Sequence, residues 1–194
     1  DGKDYYTHHF DDIDGYNAPY SLVCDANNTL WIGSGKSVIS YNINDSSTVI
    51  YDSEEGFPEA ECNPNAIVCD KNNNIWFGTG NFGLCRFDGY QFQNYSLDDG
   101  LADNEILNLF EDSFNRIWLL TINGKICYIQ DDRICNYGTG HVPEALQFQS
   151  QISGIAEDSV GNIWISSAYD GIKKIDKQSK VTTYLKSSQT STSL

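Results

Sequence analysis

Val68-Cys-Asp-Lys-Asn-Asn-Asn-Ile-Trp-Phe-Gly-Thr79 is a phrase that the chain writes four times. The other three copies are VCDANNTLWIGS (23–34), FEDSFNRIWLLT (110–121) and AEDSVGNIWISS (156–167). Their tryptophans, Trp31, Trp76, Trp118 and Trp164, stand 45, 42 and 46 residues apart, each six residues after an aspartate: Asp25, Asp70, Asp112 and Asp158. Four copies in phase identify a repeat protein, whose period sets the size of the structural unit.

Each tryptophan is followed by a second β-rich stretch (VISYN, LCRFD, ICYIQ, IKKID) and then by a third ending in Tyr51, Tyr95, Tyr137 or Tyr184, 19 or 20 residues after its tryptophan. With the stretch before the aspartate, each unit holds four short strands separated by polar or Gly-rich turns, and no run of helical period interrupts them. A period in the forties with four strands predicts an all-β fold, a β-propeller built of four-stranded blades. The residues flanking each tryptophan are apolar on both sides (Ile75 and Phe77, for example), as a strand sandwiched between two other blades requires. The Asp-Asn segments read as turns, because these side chains bond their own backbone and tolerate left-handed conformations. The repeated aspartate is therefore expected to be a turn-former before it is a ligand.

The blade units run over about 11–52, 53–95, 96–137 and 138–185 in one domain, 1–194. The segment Asp4–Phe10 looks like the last strand of a preceding blade, and the polar tail 186–194 like a connector into a following one. The expectation is a partial arc of a larger propeller; the alternative is a compact four-bladed ring with the N-terminal strand swapped in or packed outside. An arc exposes apolar faces at both ends, which calls for further propeller blades or a dimer mate.

Twelve Lys and Arg stand against 27 Asp and Glu, a formal net charge of −15, which repels phosphate backbones and anionic lipid surfaces; no nucleic-acid partner is expected. No stretch approaches the 20 or so apolar residues of a membrane span, so no membrane contact is expected within this segment. A start at Asp1, with neither methionine nor signal peptide, fits a trimmed segment. Cys24 and Cys69, like Cys85 and Cys127, occupy equivalent places in different units, too far apart for bridges; Cys127 and Cys135, in one hairpin, form the single pair worth testing. Metal binding is not expected, since no CxxC spacing occurs and His8, His9 and His141 complete no site. No cofactor is indicated.

The units resemble the two-component regulator propeller repeat of Bacteroidetes sensor proteins. The resemblance is strongest from unit two into unit three, in Ile75-Trp-Phe-Gly-Thr79, Gly83-Leu84, Phe87-Asp88-Gly89 and Asp99-Gly100-Leu101. Leu120 and Ser166 stand where the repeat usually carries glycine, and the first unit is shortened after Gly35. The resemblance implies a periplasmic ligand-sensing region of a membrane-spanning histidine kinase or hybrid two-component regulator, commonly tuned to carbohydrate breakdown products. No kinase, phosphoacceptor or nucleotide motif lies in these residues, so such activity would reside elsewhere in a longer protein. Fold-determining positions transfer no ligand residues.

Asp158-Ser-Val-Gly-Asn-Ile-Trp164 is also similar to the Asp-box of sialidases, where it is a structural turn while catalysis depends on an arginine cluster, a tyrosine and acids. Only Arg86, Arg116 and Arg133 are present here, two of them at strand or turn positions away from a common mouth. No histidine sits in a nucleophile context. The expectation is no enzyme, with a sialidase-like fragment as the remote alternative and a non-catalytic interaction scaffold as the nearer one.

Loops between the second and third strands, and from the last strand to the next blade, emerge on one face and are the default ligand surface. They contribute Lys36, Asn81, Phe82, Asn123, Tyr169 and Asp170, with Glu54, Glu55, Asp98, Asp99 and His141 from the connectors. Phe82 and Tyr169 suit stacking on sugar rings beside amides and acids that bond hydroxyls, so the expected partner is a small-molecule or oligosaccharide ligand. Each of these residues has a plainer reading as an ordinary loop residue, His141 most of all.

Overall fold

A computed structural model of the chain describes residues 19–136 and 140–184. The segment 4–10, the tail 186–194, His8, His9 and Tyr137 lie outside the described residues. Four antiparallel sheets, each with its strands in chain order, carry the fold. The first comprises β1 (Pro19–Cys24), β2 (Thr29–Ser34), β3 (Ser37–Asn42) and β4 (Thr48–Tyr51). The second comprises β5 (Cys62–Cys69), β6 (Ile75–Thr79), β7 (Leu84–Phe87) and β8 (Phe92–Tyr95). The third is β9 (Ile106–Glu111), β10 (Ile117–Thr121), β11 (Ile126–Gln130) and β12 (Arg133–Cys135), and the fourth β13 (Ile152–Glu157), β14 (Ile163–Ser167), β15 (Gly171–Ile175) and β16 (Val181–Tyr184). The innermost strands β1, β5, β9 and β13 lie beside one another in that order, so the sheets are successive propeller blades.

Side-chain alternation decides how blades join, because successive residues of a strand face opposite neighbours. Trp76, Leu84 and Tyr95 of the second blade pack forward on Ile106, Ile117, Leu119, Cys127 and Ile129 of the third. Trp118, Leu120 and Ile126 of the third pack on Ile152, Ile163, Ile165 and Ile175 of the fourth, and Trp31 and Val38 of the first on Ile75, Phe77 and Phe87 of the second. Trp31, Trp76 and Trp118 thus face the following blade, and the residues flanking Trp76, Trp118 and Trp164 face the preceding one. Trp31, Trp76 and Trp118 are buried in this way, whereas Trp164 remains half-exposed on the outer face of the fourth blade. The described residues therefore form an arc of four blades with one tryptophan face uncovered.

The repeated aspartate makes its turn and closes onto its tryptophan. One carboxylate oxygen accepts the backbone N–H groups two and four residues ahead, at 2.8 to 3.1 Å in all four blades. The other accepts the indole N–H of Trp31, Trp76, Trp118 or Trp164, at 3.1, 2.8, 2.7 and 2.8 Å. The residue three after the aspartate, Asn28, Asn73, Asn115 or Gly161, has positive φ, the conformation that Asn and Gly accept most readily. All six cysteines are free. Cys135 pairs with Tyr128, the neighbour of Cys127, so the two thiols project from opposite faces of one sheet and cannot bridge.

Blades are also stitched across their turns. The Lys71 N–H donates to Glu111 Oε1 at 3.1 Å, and Ser113 donates its N–H and its hydroxyl to Glu157 at 2.8 and 2.5 Å. The acceptor in each case precedes the next blade's aspartate. At the first junction that place is held by Cys69, and the Ala26 N–H goes instead to Asn73 Oδ1 at 2.8 Å.

Candidate functional site

With strands in chain order, the β2–β3, β6–β7, β10–β11 and β14–β15 loops and the connectors 52–61, 96–105 and 140–151 share one end of the sheets. Backbone bonds tie the connectors and the start of β5 to the loops on either side: Cys62 N–H to Gly35 O at 3.1 Å, Gly80 N–H to Glu61 O at 3.0 Å, Gly83 N–H to Asn104 O at 2.8 Å and Ile122 N–H to Glu105 O at 3.3 Å. Gly83 is obligatory here, since its φ is +86° and a Cβ would come within 2.2 Å of Tyr95 O.

This loop face holds a cleft of about 380 Å³ between the first two blades, lined by Lys36, Glu59, Ala60, Glu61, Gly80 and Asn81. Two residues expected from the sequence, Lys36 and Asn81, therefore meet. They are joined by Glu59 and Glu61, which sequence reasoning missed in favour of Glu54 and Glu55. Ala60 is buried between two exposed glutamates, an alternation that runs straight into β5 and could have signalled them. The cleft offers ammonium and amide donors opposite carboxylate and amide acceptors, a set that bonds vicinal hydroxyls; it contains no nucleophile paired with a base.

The remaining expected residues do not converge on that cleft. The Asn123 amide donates to Asp103 Oδ2 at 2.7 Å, with Lys125 Nζ 3.8 Å from the same oxygen. Burial alone would raise the Asp103 carboxyl, but the Asn123 amide and the Glu105 N–H outweigh it and hold it below the usual carboxylate range. Asp170 accepts the N–H groups of Gln149 and Ser150 at 3.1 Å and the hydroxyls of Ser150 and Ser167 at 2.6 and 3.1 Å, pinning the connector to the β14–β15 loop. Its carboxyl too is held low against burial by these bonds. Phe82 is 46% and Tyr169 79% exposed at their loop tips. His141 is exposed in the last connector, which Val142, Leu146 and Phe148 anchor in the core. Glu55 accepts the Asp52 N–H at 3.1 Å, Asp99 caps a 3-10 turn through the Ser96 N–H at 2.8 Å, and Glu54 and Asp98 are exposed.

The arginines lie elsewhere. Arg86 pairs with Asp132 at 2.5 Å and Arg116 with Asp112 at 2.5 Å, both toward the aspartate-turn end, while Arg133 opens β12. Among the described residues no group of three or more His, Cys, Asp and Glu side chains is placed to hold a metal ion, and no helix is long and apolar enough to cross a membrane. Burial raises the Cys62 thiol to about 12 and that of Cys127 to about 11, which leaves neither as a nucleophile at neutral pH.

Known proteins bear on this geometry in three ways. No curated protein matches the chain significantly. Among solved structures, virginiamycin B lyase from Staphylococcus aureus, in a catalytically inactive form with quinupristin, superposes with a TM-score of 0.68 at 19% identity over 87% of this chain and 56% of its own. The extracellular domain of a protein described as the hybrid two component system BT3049 from B. thetaiotaomicron gives 0.68 at 18% identity over 88% of this chain and 25% of its own. YCF48 from Cyanidioschyzon merolae gives 0.62 at 11% identity, over 91% and 59%. The chain thus spans little more than half, or a quarter, of the proteins it superposes on, and at these identities the likeness is one of fold. Residues 59–81 and 100–123 match the family described as "Two component regulator propeller". The chain is thus a β-propeller arc in which two stretches, one in the second blade and one in the third, match the two component regulator propeller model.

Proposed function

We propose that this chain is the ligand-sensing part of an extracytoplasmic two-component signalling protein, and that it binds a carbohydrate or a similar hydroxyl-rich small molecule on its loop face. The observation that carries this reading is the Lys36–Glu59–Glu61–Asn81 cleft, whose wall on the second blade lies in residues 59 to 81, a stretch that matches the regulator propeller family. The blades are rigid on either side, so a bound ligand would be read as a change in how the loops and connectors meet. The role is one of binding without turnover, and the periplasm is its proposed location. The test is the thermal midpoint of the protein against a panel of oligosaccharides. A ligand at 100 times its dissociation constant adds about 2.7 kcal/mol and raises the midpoint by several degrees. No shift with any sugar, on folded protein, overturns the reading, and consumption of a stabilising sugar overturns its non-catalytic part.

A second reading, an interaction propeller that docks on further blades or a dimer mate, has its own observation in the half-exposed face of Trp164. Concentration-dependent self-association, abolished by Trp164→Glu, would favour it; a monomer at every concentration removes the dimer mate.

A further inference from the structure

On the aspartate-turn end, the same groove recurs at the first two junctions with different furniture. Between the second and third blades it measures about 300 Å³, and Arg86, the cross-strand partner of Trp76, lays its guanidinium 5.4 Å from that indole while bonding Asp132 of the third blade. Beside it the Asn74 amide donates to the outer oxygen of Asp70 at 2.8 Å. In the third blade Arg116 does both jobs, donating to Asp112 Oδ2 at 2.5 Å with its guanidinium 4.9 Å from Trp118. In the fourth, Asn162 donates to Asp158 Oδ2 at 2.8 Å and Lys174 lies 5.6 Å from Trp164. Three of the four tryptophans thus carry a cation of the chain, and three of the four aspartates receive a side-chain nitrogen on the oxygen that holds the indole.

The first blade has neither. The residue four after Asp25 is Thr29, too short to return to the carboxylate, so among the described residues Asp25 Oδ2 accepts the Trp31 indole alone, at 3.1 Å. The cross-strand partner of Trp31 is Ser40, and the acidic hairpin tip Asp131-Asp132 of the third blade corresponds to Gly89-Tyr90 of the second. The result is a groove of about 280 Å³, near the lower size of ligand pockets, that runs from Asp25 and Trp31 past Ser40 to Tyr51 and Asn73.

We infer that this first-junction groove binds a small organic cation, a guanidinium or primary ammonium, which donates to Asp25 Oδ2 above Ser40 and meets the part of Trp31 that Tyr51 and Phe87 leave open to the groove. Cation–π attraction and a charge-assisted hydrogen bond at one point favour such a group over a neutral one. The net charge of −15 concentrates cations around the protein and assists their entry. The site is on the opposite end of the blades from the Lys36–Asn81 cleft, so it stands or falls independently of the sugar-sensing proposal.

The test is calorimetric titration of the full chain with agmatine, which carries both cationic groups, and with myo-inositol as the uncharged comparison, at physiological ionic strength. Agmatine is expected to bind and inositol not. Ser40→Arg copies the second blade's own solution and is expected to weaken agmatine more than about tenfold, while the thermal midpoint stays at or above that of the parent. Thr29→Asn, which gives Asp25 the donor its counterparts have, is expected to weaken it by less. No agmatine binding to the parent, equal binding to folded Ser40→Arg, or inositol binding as tightly as agmatine each overturns the proposal.

Discussion

The two ends of the blades are built on opposite terms. At the aspartate-turn end each carboxylate is spoken for by its own turn and its own tryptophan, and the arrangement recurs from blade to blade with distances that hardly vary. At the loop end little recurs: the β2–β3 loop is Gly35-Lys36, its counterparts are longer, and the carboxylate that meets the loop is Asp103 beneath Asn123 in the third blade but the loop's own Asp170 in the fourth. The lesson is that repetition marks where a side chain serves the fold, and departure from repetition marks where it is available for something else.

Substitutions break this comparison in a definite order. Trp118→Ala, at a fully buried indole between two blades, is expected to cost about 3–5 kcal/mol and to abolish cooperative unfolding at ordinary temperature, read by denaturant titration. Asp112→Ala follows at about 2–4 kcal/mol, because it strands the Trp118 N–H, two backbone donors and the Arg116 guanidinium together. Should Asp112→Ala prove neutral, the aspartate is not the latch described here. Gly83→Ala is expected to cost about 2–3 kcal/mol, since strain at positive φ is joined by a clash with the Tyr95 carbonyl. On the loop face, Lys36→Ala and Asn81→Ala should leave stability within about 0.5 kcal/mol while removing whatever midpoint shift a sugar produces, which sharpens the contrast between the two ends.

Acid provides a gentler probe. The Asp158 carboxyl is held well below the usual range by the Trp164 indole and the Asn162 amide, and Asp103 and Asp170 are also low. A folded-state value below the unfolded one stabilises fully at neutral pH and is lost as the pH falls below about 4. The thermal midpoint should therefore decline on that acid limb, and Asp158→Asn should flatten it; an unchanged limb would detach Asp158 from the stability of its blade. Glu111, raised by burial, acts with the opposite sign and tempers the decline.

Most of the architecture was readable because its determinants are local. An aspartate, a turn that tolerates positive φ and a tryptophan six residues on are all contained in one short segment, and the apolar residues on both sides of Trp76 announced a strand covered on both faces. The stitches through Glu111 and Glu157 were not readable, since their partners Lys71 and Ser113 lie 40 and 44 residues away and nothing local distinguishes those glutamates from surface acids. The same distance hid the partners of the site residues. Asn123 looked like a free amide until Asp103 met it, and Asp170 looked like a ligand until the connector folded back onto it. Lys36 and Asn81 were recognisable as loop residues, but their meeting depends on how two blades are set side by side, which no single repeat encodes. Register was the other missing quantity: that Ser40, and not a longer side chain, stands opposite Trp31 follows only from the strand pairing.

Because each stitch runs from one blade's turn to a residue supplied by the next, the array has a direction. At the aspartate turns, loss of the fourth blade would leave both donors of Ser113 without their carboxylate, whereas loss of the first would free the Asn73 amide oxygen, an acceptor that water satisfies readily. Nearest-neighbour coupling of this kind makes cooperativity polar, so that unravelling begun at one terminus spreads differently from unravelling begun at the other, and the third blade is the member that depends most on the company it keeps.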